Sequence, residues 1–124
     1  MFVGHYVGDF LMQTDHMANF KSKDVSVLVS HGATYTFILM FFSVLGVILG
    51  IVSPMYILFW LGLNGFLHTF TDFFTSKISA KLNSEKRVGE FFNMIGLDQL
   101  IHILTILGTT YYLFVLGGMR LVGL

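Results

Sequence analysis

The sequence predicts an all-α membrane protein: a compact, polytopic bundle of about four transmembrane helices, forming one domain over residues 1–124. Three observations predict it. Hydrophobic residues make up 55% of the chain and charged residues 11%, where a soluble domain carries about 25% charged, and the mean hydropathy is +0.77. The apolar residues fall into long runs, each near the roughly 20 residues an α-helix needs to cross about 30 Å of hydrocarbon. Those runs lack the alternation over about ten residues that marks a strand of a membrane barrel. Helices also satisfy every backbone group within one segment, as lipid demands.

The first helix is expected over about residues 2–20, within MFVGHYVGDFLMQTDHMANF. It is the most polar of the four, either spanning or lying partly in the interface. It has no basic n-region, and His5, Asp9, Gln13 and Asp15 interrupt its apolar residues, so it is expected to be retained, not cleaved as a signal peptide. The second helix is expected over about 25–52 and stops at Ser53-Pro54, because proline has no N–H to continue a ladder and biases its predecessor out of helix. The third follows over about 55–78. The segment KISAKLNSEKRVGE at 77–90 reads as a solvated loop or helix end, and the fourth helix, about 91–117, ends near Gly117-Gly118. No internal repeat, low-complexity tract or long linker divides the chain.

Lysine and arginine set the orientation. Lys21 and Lys23 lie between the first two helices, and Lys77, Lys81, Lys86 and Arg87 lie around the connection of the third and fourth. Arg120 alone lies on the other side. The positive-inside rule then makes both charged connections cytoplasmic and puts both termini and the Ser53-Pro54 turn outside. The chain has no cysteine, so disulfides and thiolate metal sites are excluded and any metal must use nitrogen and oxygen ligands. A formal net charge of zero, with no basic run interleaved with aromatics, removes the electrostatic case for nucleic-acid binding.

What does not belong in lipid is a set of polar pairs. His5 and Asp9, His68 and Asp72, and Asp98 and His102 each stand four residues apart, which places both members of a pair on one helical face. His31 joins from the second helix; Gln13, Asp15 and His16 lie toward the cytoplasmic end of the first. At 1.5 Å per residue, Asp9, His31, His68, Asp72, Asp98 and His102 all fall about 9–17 Å below the cytoplasmic helix ends, with His5 deeper at about 22 Å. A lone intramembrane histidine is commonly a hydrogen-bonded structural group. A charged side chain at the helix centre nevertheless costs about 2.5–3.5 kcal/mol, more than an interhelical hydrogen bond returns. Imidazoles and carboxylates projected together into a bundle core form a ligand set for a divalent ion such as zinc, manganese or iron. A metal-free hydrogen-bonded or protonatable network is the competing reading.

Other features have plainer explanations. Phe41-Phe42, Phe73-Phe74, Phe91-Phe92 and Tyr111-Tyr112 are expected to face lipid or the interface. Gly46 and Gly50 form a small-xxx-small pattern able to bring helices close. Lys77 is expected to snorkel, with Asp72 or an anionic headgroup as alternative partners. Lys81, Lys86 and Arg87 form a solvated topology signal, with lipid phosphate contact as the sharper alternative.

The order HYVGDFLMQ, MANFK, His31, HTFTD, DQLIH resembles the domain-of-unknown-function 3307 family of small bacterial and phage membrane proteins over nearly the whole chain. A looser similarity of pattern is to the membrane-bound metal-dependent hydrolases. The first resemblance implies the helical membrane fold and the residue set; the second implies hydrolysis by analogy.

Two functions follow as expectations. In the first the protein is a divalent-metal-dependent enzyme, most plausibly a hydrolase of a lipid-linked or membrane-embedded substrate. Its metal ligands are drawn from His5, Asp9, His68, Asp72, Asp98 and His102, with Asp15 as general base and His31 as acid or supporting partner. No HExxH motif or serine elbow fixes the reaction. In the second it is an oligomeric proton, ion or metal-ion pathway, since intramembrane Asp and His chains serve such routes and four spans leave little internal volume without a homo-oligomer. A non-catalytic phage or host membrane interaction protein is the third. Gln99, about 100° around the helix from Asp98, is expected to buttress a ligand.

Overall fold

The computed structural model describes residues 1–50 and 52–116, the last three for their backbone alone. Among the described residues every regular element is helical. The helices are α1 (Phe2–Tyr6), running on into π-helical turns at Val7–Leu11, then α2 (Asp15–Phe20), α3 (Val25–Ile48), α4 (Pro54–Ser84) and α5 (Val88–Thr110), which continues as π-helical turns over Tyr111–Leu116. The all-α expectation therefore holds, with different bounds. The expected stop at Gly117-Gly118 and the cation Arg120 lie outside the described residues.

The segment expected as one spanning helix over 2–20 is two short pieces, Phe2–Leu11 and Asp15–Phe20, neither long enough to cross a membrane alone. The π turns close with Met12 N–H on the Val7 carbonyl at 2.9 Å. Thr14 then adopts an extended backbone, and its hydroxyl accepts from Met17 N–H at 3.2 Å. A side-chain cap of that kind starts a new ladder. The second helix stops at Ile48, before the expected 52, because Gly50 takes φ +67° and its N–H bonds the Val47 carbonyl at 3.0 Å, a left-handed helix end that suits glycine. Pro54 opens α4 in its first turn, where its missing N–H costs nothing.

The third helix is longer than the apolar run suggested. It continues through Ser79 to Ser84, so most of the supposed loop is helix. It closes in a Schellman arrangement: Lys86 N–H bonds the Asn83 carbonyl and Arg87 N–H bonds the Leu82 carbonyl, both at 3.0 Å, with Lys86 at φ 57°. Arg87 then pairs with Glu85 and Glu90 at the start of α5.

Helix α4 is central, packed on α3 along one side and α5 along the other. The α1 segment runs antiparallel against α3. A Cβ on Gly4 would touch Phe42 and Leu39, and one on Gly8 would touch Tyr35 and Ile38. The α3–α4 contact is closer still. A Cβ on Gly32 would lie 2.0 Å from Thr69 Oγ1, and one on Gly65 would lie 2.2 Å from Thr36 Oγ1. Each threonine satisfies its own hydroxyl on the carbonyl four residues back, Thr36 on Gly32 and Thr69 on Gly65, both at 2.8 Å. Two Gly-x3-Thr faces thus interlock reciprocally, as small residues do where backbones approach. Gly46 and Gly50 play no such part: Gly46 has only Val52, 3.9 Å from its would-be Cβ, and Gly50 ends the helix.

Polarity is inverted relative to a soluble domain. The outer faces carry Phe37, Phe41 and Leu45 on α3, Phe59, Phe66, Phe70 and Phe74 on α4, and Phe92, Leu100 and Leu104 on α5, all exposed, while His5, Asp9, His31, Asn64, His68, Asp72 and His102 are buried. Two helices, Val25–Ile48 and Val88–Leu113, are long and apolar enough to cross a membrane. An apolar core of Tyr35, Leu39, Ile57, Trp60, Leu61, Ile106 and Leu113 fills the bundle toward the Pro54 end.

Candidate metal centre

The buried stripes of three helices converge in the middle of the bundle. On α3 the buried positions step through Leu28, His31, Tyr35 and Leu39; on α4 through Trp60, Asn64, His68, Asp72 and Thr75; on α5 they are His102 and Ile106. These spacings of three and four keep each stripe on one face. The Gly-x3-Thr contacts draw α3 and α4 close enough for His31 and His68 to meet. His5 and Asp9 arrive from the α1 segment, where the π turns at Val7–Leu11 sit beside the site, a common place for such turns.

Four side chains form one group: Asp9, His31, His68 and Asp72, all buried, present one ligand atom each within 4.8 Å of one another. His31 Nε2 lies 3.1 Å from Asp9 Oδ1, 3.2 Å from Asp72 Oδ2 and 3.3 Å from His68 Nε2. His68 Nε2 lies 3.7 Å from Asp9 Oδ1 and 3.9 Å from Asp72 Oδ2. Four tetrahedral ligands at the 2.0–2.1 Å bond lengths of zinc stand about 3.3–3.4 Å apart, and the five separations scatter around that edge. One imidazole nitrogen offers a single hydrogen or a single lone pair. It cannot satisfy two carboxylates and a second imidazole together, whereas a cation among them would.

A second group, Asp9, Asp98 and His102, adjoins the first and shares Asp9. His102 Nε2 is 3.1 Å from Asp72 Oδ1 and 3.5 Å from Asp98 Oδ1. Asp72 therefore turns one oxygen to each group. Gln99 ties the margin together: its Nε2 donates to Asp9 Oδ2 at 2.7 Å and Asp98 Oδ2 at 3.1 Å, and its Oε1 faces His5 Nε2 at 3.1 Å. The buttressing expected of Gln99 is the contact observed. His5 reaches the site through Gln99, with its ring 5.6 Å from that of His102, and belongs to neither ligand group. Tyr35 stacks on His68 at 3.7 Å and 6°, fixing that ring. The Nδ1 atoms of His31 and His68 have no partner.

Asp15, expected as general base, does not join the cluster. It is exposed in the first turn of α2, because the break at Met12–Thr14 turns α2 away from the line of His5 and Asp9. His31, expected as an acid or supporting partner, stands at the centre of the first group. Lys77 does not pair with Asp72; its Nζ lies 3.4 Å from the Phe73 ring centroid. The cation on Asp72 is Lys21, with Nζ 2.6 Å from Oδ2 and 3.4 Å from His31 Nε2. Sequence reasoning read Lys21 only as a topology signal. The clue was depth: His31 lies only six residues inside α3, within reach of a long lysine stem from the helix entrance.

The cluster opens to one side. A cavity of about 570 Å³ reaches Asp9, Asp72, Asp98 and Gln99 and runs toward Lys21, Lys23 and the Ser84 end of α4. Asp72, Thr75, Ser76, Ser79, Asn83 and Ser84 line it, a polar stripe along α4 whose last three members fall in the segment 77–90 expected as a loop or helix end. Ser76 Oγ, Gln13 Oε1 and Asp98 Oδ1 are buried there without hydrogen-bond partners. On the opposite side the apolar core closes the cluster.

The model of a family described as "Protein of unknown function (DUF3307)" matches residues 1–119. No curated protein and no solved structure matches the chain, so the looser likeness to membrane-bound metal-dependent hydrolases finds no support there.

Proposed function

Because the chain belongs to the DUF3307 family, whose description names no activity, we propose from the geometry that it is a membrane-embedded, divalent-metal-dependent hydrolase of a lipid-linked or membrane-embedded substrate. One observation carries the reading: two imidazole nitrogens and two carboxylate oxygens stand within 4.8 Å of one another, and both carboxylates also line a cavity. A path through a single bundle would have to cross the Tyr35, Leu39, Trp60 and Ile106 packing.

Asp9, His31, His68 and Asp72 would hold the ion, with Asp98 and His102 beside it for a second. Zinc, manganese and iron all accept this donor set. A bound divalent ion would acidify a water molecule and polarise a phosphoryl or carbonyl oxygen. Asp98, which lines the cavity and has one oxygen without a hydrogen-bond partner, replaces Asp15 in this reading as the group that orients water and takes its proton. The inverted polarity supports a bilayer setting for all of α3, α4 and α5. Exposed Phe66, Phe70 and Phe74 stand back to back with buried His68 and Asp72, an arrangement that lipid stabilises and water does not. The α1 segment completes the bundle from one side, and the cavity faces the lysine-rich, cytoplasmic side.

The test is elemental analysis of the detergent-purified protein after supplementation with zinc, manganese and iron. The expected result is at least one equivalent of ion per folded chain, lost in His31→Ala. Asp98→Asn is expected to retain an ion while losing hydrolysis of phospholipid or lipid-linked phosphate substrates. A folded protein free of metal would overturn the reading; metal without turnover would favour binding or transport.

A further inference from the structure

Lys21 is out of place for a topology signal. Its ammonium contacts Asp72 Oδ2 and His31 Nε2, two of the four atoms that the first group offers to an ion. Its stem runs along the wall of the cavity. Among the described residues Lys21 is the one lysine or arginine touching a cluster that holds the three carboxyl groups of Asp9, Asp72 and Asp98. A divalent ion held by Asp72 Oδ2 and His31 Nε2 would compete with the ammonium for the same two atoms, since two cations that close repel in a poorly screened interior. Loading the ion therefore releases Lys21, and the cavity is the open space beside it.

Released, it joins a set suited to one ligand class. Lys23 also lines the cavity and has no carboxylate partner among the described residues; its Nζ lies 5.5 Å from the Phe20 ring centroid. Ser76 Oγ has a hydroxyl without a partner, and Ser79 and Asn83 supply further polar groups on the same wall, whereas the Thr75 and Ser84 hydroxyls already donate to the Thr71 and Lys81 carbonyls. Two ammonium groups, hydroxyl donors and a metal floor recognise an oxyanion with several acceptor atoms.

Resting on the metal reading above, we infer that Lys21 exchanges between two partners, pairing with Asp72 until an ion binds and then with a phosphate group of the substrate in the cavity. The substrate class is thus a phosphate ester. Metal loading makes its binding site by turning a lysine out of the ligand cluster.

The exchange is read first on the wild-type chain, by quantifying modification of each lysine with an amine-reactive reagent in detergent. Lys21 is expected to be several-fold less reactive than Lys23 without metal, to become several-fold more reactive when zinc is added, and to be protected again by phosphate. Unchanged Lys21 reactivity on zinc loading, with zinc bound at stoichiometry, overturns the exchange while sparing the metal reading. Absence of bound zinc, manganese and iron alike overturns both. The second arm measures binding of inorganic phosphate and of phosphatidic acid vesicles to zinc-loaded protein. Wild type is expected to bind at least one of the two at least tenfold more tightly than Lys21→Met and several-fold more tightly than Ser76→Val. The latter variant leaves the Asp72 ion pair intact and guards against a folding defect in the former. Preference for the vesicles identifies a lipid headgroup, and equal binding identifies a soluble phosphate ester. Equal phosphate affinity in wild type and Lys21→Met overturns the assignment.

Discussion

Asp72 turns one oxygen to Lys21 and His31 and the other to His102, so it touches both ligand groups and the only ammonium near them. A ligand in that position controls ion-dependent stability, because an ion that binds only the folded state stabilises it by about 2.7 kcal/mol at a hundred times its dissociation constant. Wild type is expected to show a rise in thermal unfolding midpoint on zinc addition, measured in detergent, and Asp72→Asn to show little or none. His5→Ala is expected to keep both the rise and the bound ion, because His5 belongs to neither ligand group and hydrogen-bonds Gln99 instead. The ion count therefore separates His5 from His31, which stands in the first group. What the sequence makes legible at this scale is the pairing: a histidine and an aspartate four apart on one face, at similar depth in three segments. What it hides is Lys21, since the pairing of a lysine outside the helices with an aspartate 51 positions away is set by the fold and by no local spacing.

The elements meet through small residues. Gly32 and Gly65 each stand where an added methyl would come within 2.2 Å of a threonine hydroxyl on the facing helix. Overpacking of that kind costs about 1–3 kcal/mol, so Gly32→Ala and Gly65→Ala are each expected to lower the unfolding midpoint and weaken zinc binding, because His31 and His68 ride on the same contact. Gly46→Ala, with nothing nearer than 3.9 Å, is expected to be neutral or slightly stabilising in its helix. Lys86, left-handed at φ 57° after α4, predicts a gain of about 0.5–1 kcal/mol for Lys86→Gly, read from the same unfolding curves. The helix stop before Pro54 was readable because proline punctuates a chain by local chemistry. The break at Met12–Thr14 was not, because Gln13, Thr14, Asp15 and His16 read equally as the polar end of one helix. The extension of α4 to Ser84 was hidden for a related reason: Ser79, Asn83 and Ser84 look like loop residues until the cavity they line is seen.

Over the whole molecule, the site has a closed end and an open one, and the direction in which it opens decides which side of a membrane supplies the substrate. The apolar core lies toward Pro54, and the cavity lies toward Lys21, Lys23 and the Ser84–Val88 connection. The positive-inside rule counts Lys and Arg near the ends of spans, and both lysine-bearing connections lie at the cavity end, so the proposed orientation turns the cavity to the cytoplasm. The natural chain contains no cysteine, which makes single introduced thiols unambiguous reporters. Ser84→Cys, exposed at the end of α4, is expected to react with a membrane-impermeant maleimide only after inner-membrane vesicles are inverted or cells are opened. Ser53→Cys, at the opposite turn, is expected to react in intact spheroplasts. Labelling of both from one face would mean that α4 does not cross, and the bundle would then lie on the membrane with its Phe66, Phe70 and Phe74 face downward. Labelling in the reverse sense would keep the crossing and turn the cavity outward, making a periplasmic phosphate ester the ligand to test.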